Sequence, residues 1–192
     1  IIYWLHLKLL TLNYLNFPQI LKFNMKNFII LFCLLVFLSI EAQTDNSADC
    51  TKVYLIRHAE KDRTDKTNSN PHLNSFGIKR SLKWKGFFKN TDFDVIYSTN
   101  YYRTLETIKP FSENGTEIVI YNPSKIDYNE FLLNNKGKTI LVVGHSNTIP
   151  SFTNGILNKK LYNNIEDNNN SNLYVVNICD GIDPQNSLYF VK

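Results

Sequence analysis

The sequence lacks several features that would assign it to common classes of protein. Its 21 lysine and arginine residues are scattered among 17 acidic residues, for a net charge of +4, so no clustered basic face of the nucleic-acid-binding kind is present. The apolar run from Phe28 to Ile40 spans about 13 residues, short of the roughly 20 that cross a membrane. No internal repeat is visible. We therefore expect no nucleic-acid partner and no stable membrane anchor, and a small anionic ligand fits the charge balance.

The first 42 residues differ in character from the rest of the chain. Met25-Lys26-Asn27 is a charged segment that the apolar run follows, and Ala42 supplies a small residue for cleavage. This arrangement is typical of a secretory signal peptide, predicted here over residues 25–42. Residues 1–24 precede the only methionine and are interpreted as a non-native leader. Export to the periplasm or the extracellular space is the expected outcome.

The predicted mature domain covers residues 43–192, about 150 residues, which is enough for one hydrophobic core. A composition of 43% hydrophobic and 20% charged residues is that of a globular protein. Two of the three cysteines, Cys50 and Cys179, fall in this domain. In an oxidising compartment they either pair or remain as structural thiols.

Short apolar segments alternate with amphipathic ones along the domain. The pattern predicts helices over Leu73–Phe88, Asn100–Phe111 and Tyr128–Asn135, and strands over Val53–Ile56, Asp94–Tyr97, Glu117–Tyr121, Thr139–Val143, Leu173–Ile178 and Ser187–Val191. The first helix is expected to face the core with Leu73, Phe76, Leu82 and Phe87. Residues 163–172, rich in asparagine, are predicted as a loop with little core-forming content. The predicted fold class is α/β: a three-layer α/β/α domain whose mostly parallel sheet can include an antiparallel edge strand.

Three polar clusters follow predicted strands at equivalent positions. Arg57 and His58 end the first strand, Arg103 follows the second, and His145 follows the fourth. Ligands of an open parallel sheet bind outside the carboxyl ends of the strands, so these four side chains are expected to converge. Guanidinium groups match phosphate oxygens, and a neutral imidazole can attack phosphorus while a protonated one stabilises developing charge. The residues predict a phosphoryl-transfer pocket in which either histidine can be the nucleophile.

The same segments resemble a known family. Leu55-Ile56-Arg57-His58-Ala59-Glu60-Lys61 resembles the Arg-His motif of the histidine phosphatase (phosphoglycerate mutase-like) superfamily, and in particular its small Arg-His-Ala-Glu-Lys subgroup, which is similar to phosphohistidine phosphatases. Further similarities occur in the family's order between about residues 53 and 157. They are carried by Asn70-Pro71-His72-Leu73-Asn74 with Gly77, by Ser98 with Arg103, Thr104 and Thr107, and by Val142 to Thr148.

The resemblance implies which residues perform the reaction. His58 would be the phosphorylated nucleophile, and Arg57, Arg103 and His145 would bind the phosphoryl group, with no metal or other cofactor. His72 would be a residue of the loop that leads into the first helix. The implied activity is that of a phosphatase, here an exported one that hydrolyses phosphomonoesters. The alternative is a non-catalytic protein that retains the pocket and binds phosphorylated ligands.

The proton donor for the leaving group is not fixed by any motif. Between residues 111 and 127 the chain offers Glu113, Glu117 and Asp127, and Glu60 lies two positions after His58. Glu60 and Asp127 are the two candidates, ranked equally. An enzyme without a placed acid should favour good leaving groups, such as those of phosphoramidates, over alkyl phosphates.

Other assignments are open or disfavoured. Lys61 and Arg63 either add phosphate contacts or belong to a solvated loop face. A zinc site made of His58, Glu60 and His145 would place a cation beside two arginines, which disfavours it. Gly137-Lys138-Thr139 resembles the end of a P-loop, but it leads into a strand where a P-loop leads into a helix. The sequence also contains no Gly-x-Ser-x-Gly nucleophile elbow. The oligomeric state is not predicted.

Overall fold

The fold is organised by a six-stranded sheet, in a computed structural model that describes residues 50–192 apart from the side chains of residues 113 and 114. The predicted leader and signal peptide, residues 1–24 and 25–42, lie outside the described residues. The strands are β1 Thr51–Arg57, β2 Val95–Ser98, β3 Glu117–Ile120, β4 Thr139–Gly144, β5 Asn172–Ile178 and β6 Gln185–Phe190. Their order is β3-β2-β4-β1-β5-β6. Strands β1 to β4 are parallel, whereas β5 is antiparallel to β1 and β6 is antiparallel to β5.

Helices cover both faces of this sheet. They are α1 Ser75–Phe87, α2 Tyr102–Ile108, α3 Tyr128–Asn134 and α4 Thr148–Leu157, with a 3-10 helix at Lys109–Asn114. Side chains of α3 and α4 pack on one face, and those of α1, α2 and the 3-10 helix pack on the other. The three-layer α/β/α class and the antiparallel edge predicted from the sequence are confirmed.

The two central strands explain the position of the core. In β1, Val53 and Leu55 point to the face of α3 and α4, while Ile56 points to the opposite face, and all three are fully buried. Strand β4 follows the same alternation, which is what continuous apolar sequence requires when a strand is covered on both faces. Because Arg57 pairs with Gly144 and Ser98 pairs with Val143, the strands β1, β2 and β4 end side by side at one edge.

The predicted inner face of α1 is wrong. Phe76, Leu82 and Phe87 are 70%, 59% and 52% exposed, and the buried positions within the helix are Gly77, Ser81 and Trp84. Gly77 fixes this orientation, because a Cβ there would lie 2.1 Å from the carbonyl oxygen of Glu60. Gly77, Ser81 and Trp84 therefore form the inner face of the helix, and Phe76, Leu82 and Phe87 face solvent.

Two further elements differ from the sequence pattern. The predicted helix over Asn100–Phe111 ends as an α-helix at Ile108, because Pro110 has no N–H to continue it, and a 3-10 turn follows. Helix α4 is absent from the predicted elements, although Pro150 in its first turn is a residue that helix starts favour. Its buried side chains, including Ile149 and Phe152, complete one face of the core.

Cys50 and Cys179 form a disulfide. They lie at the amino end of β1 and the carboxyl end of β5, just beyond the pair Thr51 and Ile178. This bridge is at the opposite end of β1 from Arg57. Among the described residues, no helix has the length and apolar character needed to cross a membrane.

Candidate active site

The carboxyl edge of the sheet carries a cavity of about 720 Å³. Arg57, His58, Arg103 and His145, the four residues predicted to converge, all line it. The first three are nearly buried, at 2%, 3% and 9% exposure. The rings of His58 and His145 lie 5.4 Å apart between centroids. Residues that are up to 88 positions apart in the chain thus share one cavity.

The hydrogen bonds of His58 define its tautomer. Its Nδ1 lies 2.7 Å from the carbonyl oxygen of Ala59, which can only accept, so Nδ1 carries the proton and the lone pair is on Nε2. Burial, with smaller contributions from Arg57, His145 and Arg103, lowers the pKa of His58 to about 3. The ring is therefore neutral at neutral pH.

Arg57 is held by the asparagine-rich loop, defined here as residues 163–171. Its Nη1 donates to the backbone carbonyls of Glu166, Asp167 and Asn169 at 2.9, 3.1 and 2.9 Å, and its Nη2 donates to Oδ1 of Asp167 at 3.0 Å. The same loop reaches the nucleophile segment, where Asn170 donates to the carbonyl oxygen of His58 at 2.8 Å. One side of the guanidinium is thus fixed to backbone.

Arg103 is oriented by different contacts. Its guanidinium lies 4.3 Å from the ring centroid of Tyr101, and its Nη1 donates to the Ser69 carbonyl at 3.4 Å. The Nε atoms of Arg103 and Arg57 are buried and have no hydrogen-bond partner within the described part of the chain. Buried donors are costly to leave unpaired, and both residues line the cavity, so an oxyanion is the complementary ligand.

His145 is linked to Arg103's helix through two threonines. The hydroxyl of Thr104 donates to backbone carbonyls and accepts from Thr99, whose oxygen lies 3.0 Å from Nε2 of His145. Thr99 therefore accepts from His145 Nε2–H. Burial first, and then the charges of Arg103, Arg57 and Lys61, lower the pKa of His145 to about 4.

Thr107 ties α2 to the segment that carries His58. Its hydroxyl donates to the carbonyl of Arg103 at 2.6 Å and accepts from the backbone N–H of Ala59 at 2.9 Å. Thr107, one helical turn after Arg103, thus holds the helix of Arg103 against the segment that carries His58. This contact gives a physical reason for the four-residue spacing of Arg103 and Thr107 in the sequence.

Neither candidate for the proton donor lines the cavity. Glu60 accepts a 2.7 Å ion pair from Nε of Arg80 on α1. Asp127 caps the amino end of α3, where it accepts from the N–H groups of Asn129 and Glu130. Glu117 begins β3, at the end of the strand away from the cavity. Glu60 and Asp127 are thus engaged outside the cavity, Glu117 lies away from it, and the side chain of Glu113 lies outside the described residues.

Asp167 is a charged residue of the cavity that the sequence did not predict. It lines the cavity together with Lys61, and Arg63 binds Asp167 through both carboxylate oxygens, at 2.7 and 2.9 Å. For Lys61 and Arg63 the sequence left phosphate contacts and a solvated loop face as alternatives. Asp167 could not be located from sequence because the loop 163–171 reaches the site only through the antiparallel pairing of β5 with β1. That pairing sets Leu173 opposite Ile56, one residue before Arg57.

His72 lies in the loop before α1, as the resemblance implied. It is exposed, its Nδ1 bonds to Glu106, and its ring stacks on Tyr102 at 4.2 Å between centroids. It does not line the cavity.

Known proteins share sequence and fold with this chain. The family model for the histidine phosphatase superfamily (branch 1) matches residues 53–123. No curated protein matches significantly. Solved structures of similar fold include a protein assigned as the phosphohistidine phosphatase SixA from Agrobacterium tumefaciens, at 19% identity, 72% coverage of this chain and 97% of that one, with a TM-score of 0.52.

Two other solved structures have the same fold. The phosphoserine phosphatase of Entamoeba histolytica, in complex with 3-phosphoglyceric acid, is 20% identical over 74% of this chain and 97% of its own, with a TM-score of 0.55. The mycobacterial glucosyl-3-phosphoglycerate phosphatase is 10% identical over 74% of this chain and 100% of its own, with a TM-score of 0.57. The match of residues 53–123 and the shared fold support the assignment of the chain to the histidine phosphatase superfamily and, with it, phosphatase activity.

Proposed function

We propose that this protein is a phosphatase that transfers the phosphoryl group of a small substrate, such as a phosphomonoester, to Nε2 of His58 and then to water. The observation that carries the proposal is the state of His58. It is buried and neutral, its Nδ1 proton is bound to Ala59, and it lines a cavity together with two guanidinium groups. An oriented, neutral imidazole in an anion-binding pocket is suited to attack phosphorus.

The remaining pocket residues have complementary roles in this reaction. As the bond from Nε2 to phosphorus forms, the bond to the leaving group breaks and its electron pair departs with that group. Arg57 and Arg103, whose guanidinium groups line the cavity, bind the phosphoryl oxygens. A bound dianion offsets the guanidinium charges that lower the pKa of His145, so His145 gains a proton and adds to the electrostatic stabilisation.

The second step returns the enzyme to its starting state. Water attacks the phosphorus of phosphohistidine, inorganic phosphate leaves, and the electron pair of the nitrogen–phosphorus bond returns to Nε2. This cycle uses side chains of the cavity alone, with no metal or cofactor.

The leaving group receives no proton from a cavity carboxylic acid in this proposal. Among the described residues, Asp167 is the carboxylate that lines the cavity, and hydrogen bonds from Arg63 and Arg57 lower its pKa to about 2. Because Asp167 stays ionised, aryl phosphates and phosphoramidates are expected to react faster than alkyl phosphates. The similar structures include phosphatases described for phosphohistidine and phosphoserine, which supports small phosphorylated compounds as substrates.

Hydrolysis of p-nitrophenyl phosphate tests the activity. We expect turnover by the mature domain in the presence of EDTA, with a loss of at least about a thousandfold in His58→Ala and no loss in His72→Ala, a histidine outside the cavity. Equal rates for wild type and His58→Ala would contradict the enzyme. Tight phosphate binding without turnover would instead favour the non-catalytic binder, and loss of activity with EDTA would contradict metal independence.

Export is proposed as well. The signal-like segment at residues 25–42 supports it, and so does the disulfide of Cys50 and Cys179, because such bonds persist in oxidising compartments. The chain expressed from Met25 should be recovered outside the cytoplasm with Gln43 as its first residue by amino-terminal sequencing. A cytoplasmic product that retains residues 25–42 would contradict export.

A further inference from the structure

The carboxylate of Asp167 occupies a position between two guanidinium groups at the cavity. Its Oδ1 accepts from Arg57 at 3.0 Å and from Arg63 at 2.9 Å, while Oδ2 accepts from Arg63 at 2.7 Å. The side chain is 72% exposed, so it can leave this position without unfolding the core. A carboxylate held in this way marks a place where the protein binds an anion.

Lys61 adds another positive charge to the same wall. It lines the cavity, and burial together with Arg103 and Arg63 lowers its pKa. Among the described residues in and beside the cavity, the positive charges of Arg57, Arg103, Lys61 and Arg63 outnumber the one negative charge, that of Asp167. A transferring phosphoryl dianion is bound by Arg57 and Arg103, which leaves the charges of Lys61 and Arg63 for a second anionic group.

The leaving group adds a separate constraint. With Glu60 bound to Arg80, Asp127 capping α3 and Asp167 ionised, none of these carboxyl groups is placed to protonate it. With no carboxylic acid among them to protonate it, a leaving group that departs as a stable anion is favoured. A phosphate group meets both requirements, since it leaves without a proton and carries the charge that a second cationic site binds.

We propose that Lys61 and Arg63 form a second anion subsite and that the substrate is a phosphoanhydride whose second phosphate displaces the carboxylate of Asp167. This proposal rests on the phosphatase function proposed above. Nε2 of His58 attacks the terminal phosphorus, the bridging phosphorus–oxygen bond breaks, and its electron pair stays on the departing phosphate. Water then hydrolyses the phosphohistidine, so one water is consumed and two phosphate products are formed.

The test compares inorganic pyrophosphate with p-nitrophenyl phosphate. The leaving group of each departs without a proton from the enzyme, but only pyrophosphate carries a second phosphate group. Both are assayed with EDTA present. Arg63→Gln and Lys61→Gln are each expected to lower kcat/KM for pyrophosphate about tenfold more than for p-nitrophenyl phosphate. Lys66→Gln, which removes a charge from an exposed position of the same loop, should not change the ratio of the two values.

Asp167→Asn is expected to shift the preference between the two substrates in the opposite direction, toward pyrophosphate. Without the competing carboxylate, KM for pyrophosphate should fall severalfold relative to that for p-nitrophenyl phosphate, while the backbone carbonyls continue to hold Arg57. A rise in KM that is equal for both substrates would contradict displacement, because Asp167 would then act only by supporting Arg57.

Other results separate the two proposals. A wild-type protein that hydrolyses p-nitrophenyl phosphate but not pyrophosphate, or variants of Lys61 and Arg63 that affect both substrates equally, would overturn the second subsite and leave the phosphatase intact. Hydrolysis of a phosphoramidate with no pyrophosphate turnover would point the same way. A wild type inactive on every substrate would overturn the phosphatase itself.

Discussion

His58 and His145 show how single residues are adapted to a cationic cavity. His58 is buried and His145 is half-buried, both beside Arg57 and Arg103, and their pKa values fall to about 3 and about 4. The unfolded chain would titrate them near 6.5. Lowered pKa values keep both rings neutral before substrate binds, and they also link the stability of the fold to pH.

The sign of this linkage leads to a prediction. Between about pH 6.5 and pH 4 the unfolded chain binds protons on both histidines that the folded chain does not, so the free energy of unfolding decreases as pH falls, by up to about 1.4 kcal/mol per pH unit for each. Urea unfolding at pH 7 and pH 4.5 measures the effect. His58→Gln should lose less stability over this interval than wild type, and identical losses would mean that burial does not lower the pKa of His58.

At the scale of elements, α1 meets the segment after His58 through Gly77. A Cβ there would collide with backbone atoms of Glu60, whereas a Cβ at Gly86 in the same helix would meet nothing within 4 Å. We therefore expect Gly77→Ala to lower the free energy of unfolding by about 1–3 kcal/mol and to lower kcat/KM. Gly86→Ala should raise stability by about 0.5–1 kcal/mol through helix propensity. Denaturant unfolding of both variants measures the two changes. Equal changes in the free energy of unfolding would contradict a role for the close approach at Gly77.

The sequence pattern predicted strand β4 correctly but not the buried face of helix α1. Strand β4 was predictable because its continuous apolar residues have no alternative to burial on two faces. The face of α1 was not, because small residues at Gly77 and Ser81, set by close backbone packing, outweigh the apolar side chains of Phe76 and Leu82. Local apolar content does not report how near another backbone lies.

For the whole molecule, the disulfide of Cys50 and Cys179 closes a loop with a sequence separation of 129. Constraining so long a segment of the unfolded chain is expected to contribute about 2–5 kcal/mol. Denaturant unfolding with and without reductant should reveal this difference. The KM for p-nitrophenyl phosphate should be unchanged in Cys50→Ser/Cys179→Ser, because the bridge lies at the other end of β1 from the cavity. Equal stability of oxidised and reduced protein would contradict the contribution.

The sequence predicted those parts of the site that lie at the carboxyl ends of the parallel strands. Parallel strands that end at one edge bring Arg57, Arg103 and His145 together, so their convergence followed from chain order alone. Asp167 depends on the antiparallel return of β5 beside β1, a long-range pairing that an asparagine-rich loop does not signal. Glu60 and Asp127 were ranked equally because their contacts with Arg80 and with the first turn of α3 cannot be inferred from the sequence.

The central claim, a phosphoryl group carried on His58, is tested most directly by trapping the intermediate. The mature protein is mixed with p-nitrophenyl phosphate in EDTA, quenched in alkali, digested and analysed by mass spectrometry. We predict phosphate on the peptide that contains His58, stable in alkali and lost in acid, in wild type and His72→Asn but not in His58→Asn. Steady turnover with phosphate on another residue, or with His58 unmodified throughout, would contradict the account.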